Sequence, residues 1–97
     1  MEPDNTRNWR LCFYVSGDEE KTDSAVRVLR QICEENIAGK YEIKVIDITV
    51  NPQIAVSENI IATPCLIKKQ PPPNKKIIGD LTDKAKLLRV LGIKDDT

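Results

Sequence analysis

Three cysteines, Cys12, Cys33 and Cys65, are the residues whose chemistry has to be weighed first, and the chain has no histidine to activate them. They are odd in number, widely spaced and set in apolar surroundings that suggest burial, so they do not form a disulfide framework. Without histidine they are not a persuasive zinc site either. Their context favours thiols that pack as small hydrophobes. No glycine-rich loop would cradle a phosphate, and no serine has a partner that would make it a nucleophile. The residue types point to binding rather than catalysis.

The unusual chemistry is in the backbone. The stretch from Ile60 to Leu81 holds Pro64, Pro71, Pro72 and Pro73, four of the six prolines. A proline cannot donate to a sheet ladder and pushes its predecessor out of the helical region. Pro64 nevertheless stands between apolar residues that read as strand, so the chain must do something specific there.

The 97 residues suffice for one core. With 15 basic and 15 acidic side chains the formal charge cancels, and the electrostatic footprint of a nucleic-acid binder is absent. No apolar run is long enough to span a bilayer, and the polar start from Met1 to Thr6 does not read as a signal peptide, which suggests a cytoplasmic protein without membrane partners. Residues 1 to 8 are expected to be a disordered start, 9 to 93 the folded domain and 94 to 97 a tail.

The positioning elements follow from the apolar pattern. Trp9 to Val15 reads as a buried strand. After a polar loop from Asp18 to Lys21, capping side chains at Thr22, Asp23 and Ser24 open a helix from Asp23 to Asn36, which Gly39 stops. Tyr41 to Ile48 reads as a strand with one end deep in the core. Asn51-Pro52 looks like a cap and first turn for a short helix to about Ile60, carrying Ile54, Ala55 and Ile60 or Ile61 inward. Cys65 to Lys69 and Lys75 to Gly79 read as an antiparallel hairpin across the triple proline. Leu81-Thr82-Asp83 then supplies a staple and caps for a last helix lined by Ala85, Leu88 and Leu91 or Val90, with Gly92 closing it. The order β-α-β-α-β-β-α gives an α/β fold with a mixed four-stranded sheet and helices on both faces, the thioredoxin-like arrangement.

That fold can place a Cys-x-x-Cys pair where the first strand meets the first helix. Here that turn reads Ser16-Gly17-Asp18-Glu19-Glu20, with no thiol and with carboxylates that would oppose a thiolate. Thr63-Pro64 matches the threonine and proline, typically cis, that precede the third strand in thioredoxin-like folds. Cys65 beside it is better explained as a core residue than as a redox centre, because no second cysteine is in reach. A degenerate redox protein is the weakest of the functional readings.

Leu11-Cys12-Phe13-Tyr14-Val15-Ser16-Gly17, Tyr41 to Ile48, Asn51-Pro52-Gln53-Ile54-Ala55, Ile61-Ala62-Thr63-Pro64 and Pro71-Pro72-Pro73 followed by Lys75-Lys76-Ile77-Ile78-Gly79-Asp80-Leu81 closely resemble the KaiB family, circadian clock adaptors of cyanobacteria with relatives in other bacteria. The resemblance runs from about Leu11 to Leu91. It implies a non-enzymatic, cofactor-free partner of the hexameric ATPase KaiC that competes with the kinase SasA and captures KaiA. It also implies a metamorphic chain. The ground-state fold of the family has the order β-α-β-β-α-α-β and forms a tetramer, and a thioredoxin-like monomer binds KaiC. By the same resemblance Arg27, Tyr41, Lys44, Lys75 and Lys76 are expected partner-binding residues, with Lys44 the clearest, while Tyr14 also sits at a family position. Pro64, Pro71, Pro72, Pro73, Val90 and Gly92 are expected fold-switch positions.

Two departures from the family bear on affinity, Glu42 for a typical alanine and Asn59 for a typical lysine. They favour, as the alternative function, a paralogue with a non-clock signalling or stress role. A third departure concerns the fold. Val90-Leu91-Gly92 replaces a common Gly-x-Asp, and removing a glycine from the helix interior favours the helix by up to about 1 kcal/mol. The chain is therefore expected to rest in the thioredoxin-like state, with the tetrameric fold as the alternative.

Overall fold

Trp9–Val15 forms the strand β1, whose alternation sends Leu11, Phe13 and Val15 to one face of a sheet and Cys12 and Tyr14 to the other. The computed structural model describes residues 9–79 and 83–92. The expectations for residues 1 to 8 and 94 to 97, and for Leu81 and Thr82 as staple and cap, fall outside them. The elements run β1 (Trp9–Val15), α1 (Glu19–Ile37), β2 (Tyr41–Asp47), α2 (Pro52–Ser57), β3 (Cys65–Gln70), β4 (Lys75–Ile78) and α3 (Lys84–Leu91), the expected order. The sheet order is β2-β1-β3-β4, with β2 parallel to β1 and the other pairings antiparallel.

One face carries the larger core. Leu11, Phe13, Val15, Leu66 and Ile77 of the sheet meet Leu29, Ile32, Cys33 and Ile37 of α1 and Leu87 and Leu91 of α3. The opposite face is smaller, with Tyr14, Cys65, Ile67 and Ile60 packed beneath Ile54 and Ala55 of α2. Helices therefore lie on both faces, and the mixed sheet between them is the thioredoxin-like arrangement.

Several boundaries differ from the sequence reading, each for a local reason. Helix α1 begins at Glu19, because Asp18 is its N-cap and accepts from the Lys21 N–H at 3.1 Å. Glu19 and Glu20 then lie in the first turn, where the helix dipole favours carboxylates. Helix α2 stops at Ser57 rather than near Ile60, and Asn59 turns the chain in the left-handed region at φ 56°. Asparagine enters that region more readily than most residues. The turn buries Ile60 at 8% exposure and leaves Ile61 at 82%.

Strand β2 is an edge, not a strand with one end deep in the core. None of its residues is buried and Val45 is 43% exposed, because β1 and β3 occupy the interior of the sheet. In α3 the buried positions are Leu87 and Leu91, one helical repeat apart. Leu88 and Val90 pack partly at its flank, and Ala85, expected inside, is exposed. Asp83 caps the start of α3 by accepting from the Lys86 N–H. Gly92 ends it in the left-handed conformation at φ 79°, its N–H reaching the Arg89 and Leu88 carbonyls.

Pro64 is fixed by the hairpin. Its carbonyl accepts from the Gly79 N–H at 3.0 Å, tying the entry of β3 to the exit of β4. The Thr63–Pro64 peptide is cis, and so are Gln70–Pro71 and Pro72–Pro73.

Candidate functional site

Helix α2 spans only Pro52–Ser57, so it covers one end of the smaller sheet face and leaves the other end open. Register decides what that open end presents. Arg10 and Cys12 of β1 lie opposite Glu42 and Lys44 of β2, and Lys69 of β3 completes the cluster. Together with Leu11 these residues line a shallow cleft of about 230 Å³. Lys76 of β4 shares the face, because it pairs with Ile67.

The cleft is rich in cations, and two of them already meet carboxylates. Arg10 Nε lies 3.7 Å from a Glu42 oxygen with both side chains well exposed, a pair worth little. Lys69 donates to Glu58, the residue that ends α2, and here both side chains are about two-thirds covered. That pair bridges α2 to β3 across the edge of the core. Lys76 donates to the Asn59 carbonyl at 3.4 Å. Lys44 enters no ion pair among the described residues, so it is the charge the face offers most openly.

The other expected contact residues are scattered. Tyr41 starts the outer strand, and its hydroxyl donates to Glu34 of α1, which raises the phenol above its usual range. Arg27 is exposed on α1. Lys75 is exposed on β4 opposite Lys68, on the α1 and α3 side of the sheet. Lys44 and Lys76 thus share one face, while Arg27, Tyr41 and Lys75 belong elsewhere. Tyr14 is 2% exposed in the smaller core, where burial first and then neighbouring Cys12 keep its phenol protonated. It is a packing residue. The sequence reading missed Arg10, Lys69 and Glu58; the signal for the last pair was long-range, since only the fold brings positions 58 and 69 together.

The thiols behave as small hydrophobes. Burial pushes Cys33 up to about 11 and raises Cys65 despite nearby Lys76, the reverse of what a nucleophilic thiol needs. Cys12 is half-buried, more open than its apolar run suggests. Cys12 pairs with Ile67 and Cys65 with Tyr14, so the two cysteines are diagonal neighbours. Such positions are about 7–8 Å apart, at or past the reach of a disulfide without backbone movement. Where a redox pair would sit, Ser16 and Thr63 share a hydroxyl hydrogen bond of 2.9 Å.

In fold, the chain is similar to the N-terminal domain of SasA from Synechococcus elongatus, with a TM-score of 0.75 at 22% identity over 100% of this chain and 96% of that one. It is also similar to chloroplastic thioredoxin z, with a TM-score of 0.70 at 18% identity over 89% and 77% of the two chains. Both likenesses speak to architecture alone. In sequence it is 45% identical over 82 residues to the circadian clock oscillator protein KaiB of Microcystis aeruginosa, covering 84% of this chain and 79% of that protein. The KaiB of Trichodesmium erythraeum is 44% identical over the same shares. The family model described as the KaiB domain matches residues 12–93, which takes in the open face apart from Arg10 and Leu11, the proline segment and α3, so the chain belongs to the KaiB family.

Proposed function

We propose that this protein is a non-enzymatic clock adaptor that binds a KaiC-type hexameric ATPase in the thioredoxin-like state, as a cytoplasmic monomer. The observation that carries the reading is the fold itself. A KaiB-family chain here adopts the architecture it shares with the SasA N-terminal domain. Two proteins of one shape can compete for one site, so the adaptor would exclude a SasA-type kinase and, where the host has one, capture a KaiA-type protein. Lys44 and Lys76 would steer the encounter from the open face, since rim charges act mainly on association and specificity. Arg27, Tyr41 and Lys75 would contribute from other surfaces.

The test is retention of the KaiC-type ATPase of the same genome on the immobilised chain, with ADP and ATP compared. A complex under at least one nucleotide is expected; none under either sinks the adaptor reading. A paralogue with another signalling partner is the second reading, and Glu42 favours it. Its carboxylate lies beside Arg10 on the open face and reduces the positive charge an acidic partner would meet.

We further propose that the chain can exchange with the tetrameric family fold, with Pro64, Pro71, Pro72, Pro73, Val90 and Gly92 in the segment that rearranges. Val90 replaces a glycine common at this place in the family and supports α3. Backbone chemical shifts of the resting protein are expected to be helical from Lys84 to Leu91, and strand shifts there would refute this resting state.

A further inference from the structure

Strand β1 leaves the sheet after Val15, because Gly17 turns the chain in the left-handed region at φ 85° and α1 begins at Glu19. Its neighbour starts earlier than the ladder shows. Carried past Tyr14 and Cys65, the β1–β3 register sets Ser16 opposite Thr63, where the two hydroxyls bond at 2.9 Å. Beyond that clasp β1 no longer flanks the segment leading into β3. The N–H and C=O groups of Ile61, Ala62 and Thr63 make no backbone hydrogen bond among the described residues, and Ile61 and Ala62 are exposed.

A cavity of about 350 Å³ opens between this clasp and the start of α1. Buried Phe13 and Val15 form its floor, and Ala25 and Pro64 line it beside them, so its base is apolar. Its mouth carries the hydroxyls of Ser16, Thr22 and Thr63. An apolar base with a few placed polar groups is the usual make-up of a binding pocket, and in open α/β sheets such pockets form outside the carboxyl ends of strands.

Charge narrows the ligand. Asp18, Glu19 and Glu20 stand at this end of α1 against Lys21 alone, and none of the four enters an ion pair among the described residues. The balance stays negative even with the partial positive charge of a helix start. The surroundings of the cavity therefore favour a cationic ligand.

We propose that this cavity is a peptide-binding site: an extended segment of a partner protein lies beside Ile61 to Thr63 in the lane that β1 has left, places one aliphatic side chain on Phe13 and Val15, and carries basic residues on either side of it. Main-chain hydrogen bonds to an unpaired segment supply affinity in such contacts, and a pocket for one side chain supplies selectivity. A small apolar molecule would leave the backbone groups of residues 61 to 63 unused. The charged open face lies at the start of β1 and on the other side of the sheet, so the site stands apart from the adaptor reading and does not require it.

Three blocked tripeptides test it on the full chain, each titrated while the backbone amide shifts are followed: acetyl-Lys-Leu-Lys-amide, the same peptide with Gly for Leu, and acetyl-Glu-Leu-Glu-amide. The first is expected to bind with a millimolar dissociation constant and to move the amides of Ser16 to Ala25 and Ile61 to Thr63, leaving those of Arg10, Glu42 and Lys44 in place. The glycine peptide should bind at least about fivefold more weakly, since the buried side chain is gone. The acidic peptide should bind at least about threefold more weakly at low salt. Ala25→Leu fills the cavity from α1 and should abolish the shifts; if that variant does not fold, Thr22→Leu fills it from a half-buried position. The proposal is overturned if the basic peptide leaves residues 61 to 63 unmoved, if glycine for leucine makes no difference, or if the acidic peptide binds as well as the basic one. Undiminished binding in a folded cavity-filling variant counts equally against it.

Discussion

The indole N–H of Trp9 and the carbonyl of Leu91 form a 2.9 Å hydrogen bond between residues 82 positions apart. It joins the first residue of β1 to the last residue of α3, and it satisfies one of the carbonyls that a helix leaves open at its C-terminus. Trp9→Phe keeps most of the half-buried ring and removes the donor. The expected loss is about 1 kcal/mol in urea denaturation, with an unchanged dependence on denaturant. A variant as stable as the parent would show that the bond contributes nothing beyond packing.

The core of α3 makes a sharper distinction. Leu87 is fully buried while Ala85 is exposed. Leu87→Ala should cost roughly 2–5 kcal/mol through lost burial and a residual cavity. Ala85→Ser should be within about 0.5 kcal/mol of neutral. In thermal unfolding the first is expected to lower the midpoint by about eight degrees or more, at about 4–8 °C per kcal/mol for a domain of this size. Comparable losses at the two positions would mean that α3 is rotated from the orientation described.

The contrast between Leu87 and Ala85 also shows where the sequence is legible. Apolar runs bounded by turn residues locate all of the described strands and helices, because one-dimensional periodicity reports secondary structure directly. Which face a short helix buries is harder, since Ala85, Leu88 and Leu91 repeat as regularly as Leu87 and Leu91. The choice depends on which side chains reach Leu66 and Ile77, a property of the assembled sheet. Lys68 is the clearest case. Nothing in Ile67-Lys68-Lys69 separates a buried lysine from its exposed-looking neighbour until β3 is placed in the interior and α3 is laid over it. The edge position of β2 is hidden for the same reason, because its apolar residues match those of an interior strand. Of the candidate site, Lys44 and Lys76 were legible through the family resemblance, whereas Arg10, Lys69 and Glu58 depend on register.

The open face predicts opposite effects for neighbouring charges. Lys44→Glu reverses the most openly offered cation and should slow association with a KaiC-type ATPase, with the largest difference at low salt. Glu42→Ala removes the carboxylate beside Arg10 and should speed association under the same conditions. Surface-plasmon measurements at several ionic strengths separate the two, since rim charges act on the association rate more than on dissociation. If both variants bind like the parent, the open face is not the docking surface and α1 with Arg27 becomes the next place to look.

Cys33 gives the fold a predictable response to alkali. Burial raises its thiol from 9.0 to about 11, so between those values the unfolded chain sheds a proton that the folded chain retains. The native state then binds more protons than the unfolded one, and stability must fall as pH rises through this window, by up to roughly 3 kcal/mol. Tyr14 is raised as well and adds a loss of the same sign above 10.0. Urea midpoints at pH 8, 9.5 and 10.5 should therefore decline steadily. Cys33→Ala should be less stable at pH 8, through the small cavity, yet lose less of its remaining stability on going to pH 10.5. Thiol labelling supplies the kinetic counterpart: at pH 8 half-buried Cys12 should react first, and Cys33 only as fast as the chain opens. Rapid labelling of Cys33 in the native state, or a variant whose alkaline decline is as steep as the parent's, would show that this thiol is not the buried, proton-retaining group that the packing of α1 makes it.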